Sequence, residues 1–233
     1  MAVDFTRFEA LTFDCYGTLI DWEAGIGSGL TAILLAHGVK PVTEELLVRY
    51  AGHEAALEAG PYRRYRDVLA EGSRRVGRGY GVEPTDEDVA AFAGSVGEWP
   101  AFPDSSAALA RLAGRFRLGV ITNCDNDLFA QSNRRLSVTF DWVVTAEQAG
   151  SYKPDPRNFE LAFERMQVPR ERILHVAQSL FHDHIPAKAL GLTTVWIDRR
   201  GNRPGFGATP PADATPDLVL LDMASLAEVA LAG

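Results

Sequence analysis

Cysteine is nearly absent from this chain: Cys15 and Cys124 are the two it has, and they form neither a C-x-x-C pair nor a metal-type spacing. A reducing cytoplasm is the expected home. Positive charge is in deficit as well. Lys and Arg number 23 against 31 Asp and Glu, and the net charge of −8 argues against a nucleic-acid or anionic-membrane surface. No stretch approaches the ~18 consecutive apolar residues of a membrane span. The opening MAVDFTRFEA carries Asp4 and Glu9 and no apolar run, so no secretory signal is expected. Repeats and low-complexity segments are missing too. What remains, 46% hydrophobic and 23% charged, reads as an ordinary globular protein, and 233 residues allow one large domain or a core with a smaller insert.

The chain is organised around LTFDCYGTLID, residues 11–21. A short apolar run that stops at a carboxylate and turns on glycine has the look of a buried parallel strand at its C-terminal edge. Ligands of open α/β sheets sit outside that edge, so Asp14 would face a crevice. An Asp that merely closes a turn or caps a helix is the plainer alternative. From Trp22 to Glu98 the period is helical throughout, with Trp22, Ile26, Leu30, Ile33 and Leu34 on one face and a cap at Thr85. Helices are predicted from Pro41, Pro61 and Thr85. This block reads as an inserted helical cap.

Beyond Trp99, strand and helix alternate. Asp104 caps a helix; strands are predicted at 117–123, 141–148, 173–178, 193–198 and 217–222, with helices between them and a last one at 226–231. Gly191 is a helix C-cap, and the Gly/Pro-rich run 199–213 is a surface loop. Such alternation implies right-handed crossovers and a parallel three-layer sheet. The expected architecture is an α/β Rossmann-like core, residues 1–20 and 99–233, with a helical cap at 21–98.

Strand ends on one edge bring together Asp14 and Thr18, Thr122 and Asn123, Lys153, and Gln178, Ser179 and Asp183. A nucleophilic carboxylate needs a cation to hold it ionised, donors to orient it and a route to hydrolyse the ester it forms. Lys153 suits the first task, Thr18, Thr122 and Asn123 the second, Asp183 the third. Each has a plainer reading: Lys153 a solvated loop residue, Thr122 and Asn123 a helix N-cap, Asp183 a surface helix residue. His182 and His184 flank Asp183, but helical neighbours point ~100° apart and cannot share one ion, so no metal is expected there. His175, mid-strand, reads as a packed core residue and Cys15 as a small buried side chain. The Tyr62–Tyr65 cluster with its arginines fits cap surface or pocket wall alike.

In these motifs the chain resembles the haloacid dehalogenase superfamily over nearly its whole length. FDCYGTLID resembles the nucleophile motif, ITN the second, SYKPDPRNF the lysine motif and VAQSLFHDHIPAKALGL the fourth. The similarity is greatest to the L-2-haloacid dehalogenase branch. Phosphatase members carry an acid two residues after the nucleophile to protonate a leaving alkoxide, and here that position is Tyr16. A halide leaves without a proton, so the acid is dispensable for dehalogenation. The Gly-Asp pair with which phosphatases hold magnesium is Ala177-Gln178 here, a poor oxygen site.

The resemblance implies Asp14 as nucleophile, Lys153 as its ionising partner, Thr18, Thr122 and Ser179 as orienting donors and Asp183 as the residue that positions water. On the substrate side it implies Tyr16, Phe159, Asn123 near the halide, and Arg49 on the second cap helix for the substrate carboxylate, a task a guanidinium fork suits. Arg63, Arg64 or Arg66 could serve in its stead. Phe159 stands where dehalogenases commonly have tyrosine, and around Gln178-Ser179 their pattern is Ser/Asn-rich and one residue shorter before its Asp. The implied activity is cofactor-free, metal-independent hydrolysis of a small 2-haloalkanoic acid through an aspartyl ester. A phosphatase with a degraded magnesium site and a non-catalytic binder of small acids are the alternatives. The expected partner is a small carboxylic acid, with no nucleic acid or membrane, and a homodimer is left open.

Overall fold

The computed structural model describes residues 3–201, 203, 205 and 207–232. Parts of the predicted terminal segments (1, 2 and 233) and of the predicted loop (202, 204 and 206) lie outside them. The first strand, β1 (Ala10–Phe13), is buried at every position. It lies at the centre of one parallel sheet with β2 (Arg117–Thr122), β3 (Trp142–Thr145), β4 (Ile173–Ala177), β5 (Thr193–Ile197) and β6 (Leu218–Leu220). The order is β3-β2-β1-β4-β5-β6, so the chain switches direction of winding between β1 and β4. Phe13 is in register with Val120 on one side and Val176 on the other. Asp14 therefore emerges at the switch point, where crossovers leave to opposite sides and a crevice opens.

Strand side chains alternate between faces, and two cores result. Leu11, Phe13, Leu118, Val120, Leu174 and Val176 pack on one face with Leu109, Leu128 and Leu226, from α5 (Ser105–Leu112), α6 (Asn126–Leu136) and α10 (Met223–Leu231). Ala10, Ile121 and Ile173 share the opposite face with Phe159, Ala162 and Ala187, from α8 (Arg157–Met166) and α9 (Ile185–Ala189). Between β3 and α8 lies one short turn of helix, α7 (Ala146–Ala149).

The cap is α1 (Trp22–Ala36), α2 (Thr43–Glu58), α3 (Tyr65–Gly79) and α4 (Asp86–Gly94). The buried stripe of α1 is the one its period predicts, Trp22, Ile26, Leu30, Ile33 and Leu34. Thr85 and Asp88 form a capping box on α4. The two connections to the core run side by side: Ile20 bridges Ala101 antiparallel, Asp21 N–H donates to Pro100 O (2.8 Å), and Phe102 N–H to Leu19 O (3.0 Å). Gly25 lets α1 approach this hinge, since a Cβ there would collide with the Trp99 ring. Arg200, from the core, binds both oxygens of Glu23 (3.0 and 2.9 Å) and reaches Glu44 on the cap.

Several local expectations are corrected by long-range partners. α3 begins at Tyr65 and not at Pro61, because its first free N–H groups find a core acceptor: Asp125 takes those of Tyr65 (2.9 Å) and Arg66 (3.1 Å). Asp104 precedes α5 but makes no side-chain cap; it binds Arg199 and accepts from Met223 N–H. β3 ends at Thr145, whose hydroxyl caps α7, so the predicted strand to residue 148 is cut short. Thr122 and Asn123 do not cap α6, whose N-cap position is Asp125. Within the 199–213 loop, Arg200 and Thr209 are buried against their partners. No helix of the described residues is long and apolar enough to cross a membrane.

Candidate active site

After β1 the backbone turns sharply. Leu19 and Ile20 N–H groups both donate to Cys15 O, and Gly17 sits at φ +98°, which a side chain resists. A Cβ on Gly17 would also press on Trp22 and on Gln178. The turn returns Thr18 to Asp14, and its hydroxyl donates to Asp14 Oδ2 at 2.7 Å. Thr18 Oγ1 accepts in turn from Gln178 N–H (2.9 Å), tying this turn to the end of β4.

Lys153 arrives on the loop before α8, and Asn123 fixes it. Asn123 Oδ1 accepts Lys153 N–H (2.7 Å) while its Nδ2 donates to Lys153 O (3.0 Å). The ammonium is 1% exposed and spends its three donors on Asp14 Oδ1 (2.8 Å), Asp183 Oδ1 (2.7 Å) and Ile121 O (2.9 Å). Burial pushes the Asp14 carboxyl up, Asp183 adds to the rise, and Lys153 and Thr18 oppose it.

Asp183 lies on a π-helical turn, Leu180–His184, whose first N–H groups are met by Ser179: its hydroxyl accepts from His182 N–H (2.9 Å). Asp183 Oδ1 also meets His175 Nε2 at 3.1 Å, and His175 Nδ1 meets the Thr12 hydroxyl at 2.9 Å. With Nε2–H donating to the carboxylate, Nδ1 accepts from Thr12, so the ring is held at both ends. Burial works against the Asp183 charge, but Lys153 and His175 outweigh it and hold the carboxyl well below the usual range. Its Oδ2 is buried and has no hydrogen-bond partner among the described residues. That leaves one strong acceptor able to orient a water beside Asp14.

Asp14, Lys153 and Asp183 line a cavity of about 30 Å³, room for little more than a water. Tyr16, Asn123, Gln178, Ser179 and His182 complete its core side, and Trp22, Glu54, Glu58 and Tyr65 its cap side. A wider space of about 560 Å³ adjoins it and shares Glu58, Lys153 and His182 as lining.

Asp14, Thr18, Lys153, Asn123, Ser179, Tyr16 and Asp183 are thus brought together, though not all as the resemblance implies. Ser179 organises the π turn and meets His182. Tyr16 OH is tied up with Ser132 Oγ (2.9 Å) and Cys124 Sγ (3.4 Å). Thr122 is buried at the end of β2 with no hydroxyl partner among the described residues, and it does not line the cavity. Phe159 packs edge-on against His175, ring centroids 5.0 Å apart, behind the site. Arg49 is a correction. It is exposed, stacks over Tyr80 (5.2 Å) and lines an outer groove with Glu44, Glu45 and Val48. It lies one residue from buried Tyr50, hence ~100° away around α2. Its alternatives serve elsewhere: Arg64 and Arg66 pair with Asp127, and Arg63 is exposed and lines neither space.

Sequence reasoning overlooked Glu54, Glu58 and the bonding of His175. The signal was present: Glu54 falls on the apolar stripe of α2 with Leu46, Leu47, Tyr50 and Leu57, and a carboxylate there has to be accommodated. Glu54 Oε1 accepts from the Tyr50 and Tyr65 hydroxyls (2.9 Å each) and is still pushed up to about 7 by burial. Glu58 Oε2 lies 3.3 Å from Asn123 Nδ2 and 3.9 Å from His182 Nε2, and burial and Glu54 push it well up.

A magnesium ion, which phosphatase relatives of the resembled superfamily use, does not suit this donor set. Tyr16 and Gln178 replace two acids, and Lys153 occupies the space between the remaining carboxylates. No cluster of three or more His, Cys, Asp or Glu among the described residues is arranged to hold a metal.

Known proteins share this arrangement of core and cap. The chain is 25% identical to an (S)-2-haloacid dehalogenase of Pseudomonas fluorescens over 225 residues, 94% of this chain and 95% of that protein. It is 33% identical to a phosphoserine phosphatase of Thermus thermophilus over 207 residues, covering 87% of this chain and 75% of the relative. Its fold superposes with a TM-score of 0.80 on the L-2-haloacid dehalogenase of Xanthobacter autotrophicus solved with chloropropionic acid covalently bound, at 20% identity and covering 95% and 98% of the two chains. Residues 8–191, well over half the length, match the family described as haloacid dehalogenase-like hydrolase, and the chain belongs to that family.

Proposed function

We propose that this hydrolase works through an ester on Asp14 and that its reaction is the hydrolytic release of halide from a small 2-halogenated compound, with the 2-haloalkanoic acids of its dehalogenase relatives as the first class to test. The observation that carries the reading is the placement of one buried ammonium between two carboxylates, 2.8 Å from Asp14 and 2.7 Å from Asp183. An Asp14 oxygen attacks the carbon bearing the halogen; the carbon–halogen bond breaks and its electron pair leaves with the halide. Lys153 and Thr18 keep the carboxylate ionised and aimed. A water oriented by Asp183 Oδ2 then attacks the ester carbonyl carbon of Asp14, which restores the carboxylate and releases an alcohol, with one proton given up to solvent. The route needs no acid for the leaving group, in keeping with Tyr16 at the second position after Asp14.

The 33% identity to a phosphoserine phosphatase supports a second reading, hydrolysis of a phosphate ester. Halide release from chloroacetate and 2-chloropropionate, measured beside phosphate release from phosphoserine with magnesium and with EDTA, separates the two. Halide release indifferent to EDTA is expected. Phosphate release that requires magnesium, with no halide from either acid, would replace the dehalogenase reading.

A further inference from the structure

His175 is fully buried on β4 and does not line the cavity, so it touches no substrate there. It is nonetheless one bond away from Asp183. The register of β1 and β4 pairs Thr12 with His175, and the Thr12 hydroxyl meets Nδ1 at 2.9 Å. At the other end of the ring, Nε2 meets Asp183 Oδ1 at 3.1 Å. Phe159, itself fully buried, stands edge-on to the imidazole with centroids 5.0 Å apart. A hydroxyl hydrogen on Nδ1 leaves the ring's own N–H on Nε2, aimed at the carboxylate. Thr12, Asp183 and Phe159 together allow the ring one orientation.

Asp183 depends on that aim. Its Oδ1 accepts from two donors on different elements, Lys153 Nζ at 2.7 Å and His175 Nε2, while Oδ2 has no partner among the described residues. An ammonium is a point charge on a flexible stem, and by itself it does not choose between the two oxygens of a carboxylate. An imidazole N–H fixed in direction does choose. With both donors on Oδ1, the carboxylate cannot turn without breaking a buried bond, and Oδ2 is kept for the water. Asp14 is held by other bonds: Lys153 Nζ on Oδ1 (2.8 Å) and the Thr18 hydroxyl on Oδ2 (2.7 Å). The two half-reactions therefore have different supports, and Lys153 is common to both.

We propose that His175, aimed by Thr12, is a positioning residue for the second half-reaction alone: it holds Asp183 with Oδ2 free for the hydrolytic water and takes no part in the attack by Asp14. This rests on the reading of Asp14 as the nucleophile and assigns which buried groups serve which step of that reaction. In the step it serves, a water oxygen bonds to the ester carbonyl carbon of Asp14 and the bond from that carbon to the alcohol oxygen breaks. The alcohol takes one proton of the water and the other goes to solvent.

Rapid-quench single turnovers with 2-chloropropionate separate the steps, halide being measured directly and the ester on Asp14 by mass spectrometry. In His175→Phe, halide release is expected to stay within about threefold of wild type while ester decay slows about 10²-fold, the scale of a misplaced reacting group. Thr12→Val, which removes the hydroxyl at nearly constant volume, should slow ester decay by about tenfold, and His175→Gln, whose Nε2–H can serve the same oxygen, should restore most of the rate lost in His175→Phe. A histidine that only supports the fold would slow both steps together or neither. Equal losses in the two steps, or ester decay at the wild-type rate, overturns the proposal. If His175→Phe does not fold, Thr12→Val decides by the same two rates. Ring-nitrogen NMR of the substrate-free protein tells this failure from that of the dehalogenase reading: the His175 Nε2 resonance should move in Asp183→Asn and the Nδ1 resonance in Thr12→Val. Both shifts without halide from the wild type remove the dehalogenase reading and leave the alignment of Asp183 standing. Halide release with both resonances unmoved does the reverse.

Discussion

Asp125, at the N-cap position of α6 and fully buried, takes the backbone N–H of Tyr65 at 2.9 Å and so caps a helix that belongs to the other part of the molecule. Its second oxygen takes Arg66 N–H at 3.1 Å, and Tyr152 OH donates to Arg63 O (2.8 Å) just before it. The cavity beneath is too small for a haloacid while the cap sits this way, so a substrate requires these bonds to loosen or the cap to shift on its hinge.

Asp125→Ala should therefore unlatch the cap. A lost N-cap costs about 0.5–2 kcal/mol, and the loss should be local to α3. Hydrogen exchange at Tyr65 and Arg66 is expected to rise well before exchange in β1 or β4 does, and Asp125→Asn should lie in between. Unchanged protection at these two amides would show that the cap is held by its apolar contacts alone.

Lys153→Met should lower the rate of any Asp14 chemistry by roughly 10²–10³-fold or more, as loss of a buried charge partner does. Without the ammonium the Asp14 carboxyl rises further, so the remaining activity should climb with pH as that group ionises. The pH–rate profile checks this. A profile of wild-type height and position would reduce Lys153 to a structural role.

Asp14 and Asp183 should separate in time. Asp183→Asn is expected to give at most one equivalent of halide and to leave an ester on Asp14 that mass spectrometry detects; Asp14→Asn should release none. In a single turnover in heavy-oxygen water, label should enter the Asp14 carboxylate. Label confined to the product would mean direct displacement by water, with Asp14 as a general base.

Glu54 makes the fold itself pH-dependent. Its carboxyl sits at about 7 when folded against an ordinary 4.5, so the folded state binds the proton more tightly. Stability from this residue is fully present below about pH 4.5 and is lost as pH rises through 7, by roughly 3 kcal/mol in all. Denaturant midpoints measured from pH 5 to 8 should fall across this window in the wild type and less so in Glu54→Gln. Parallel slopes in the two proteins would refute the assignment.

Much of this was legible in the chain as written. A strand's polar end is a local pattern, and Asp14, Lys153 and Asp183 each stand where a local pattern changes. The alternation of short apolar runs with helical periods specifies a parallel sheet, and a parallel sheet places those ends on one edge. The insertion of α1–α4 was equally plain, because an unbroken helical period cannot be a single crossover. The apolar stripe of α1 came out residue for residue, since hydrophobic period alone decides which face is buried.

The tertiary structure decided which polar residues meet. Arg49 and Glu58 lie on the same helix, and nothing local distinguishes a cap arginine that reaches the crevice from one that points away. The distinction is the rotation of α2 about its axis, which the packing of Tyr50 and Leu57 sets and which turns Glu54 and Glu58 inward and Arg49 out. His175 read as core, and it is buried, but only the approach of the π turn gives it Asp183 as a partner. Asp125 likewise had no local signal, since the N–H groups it caps are some sixty positions away in sequence. Periodicity acts through neighbours in the chain. The chemistry here depends on bonds between residues far apart in it, and those are fixed only when the two cores close.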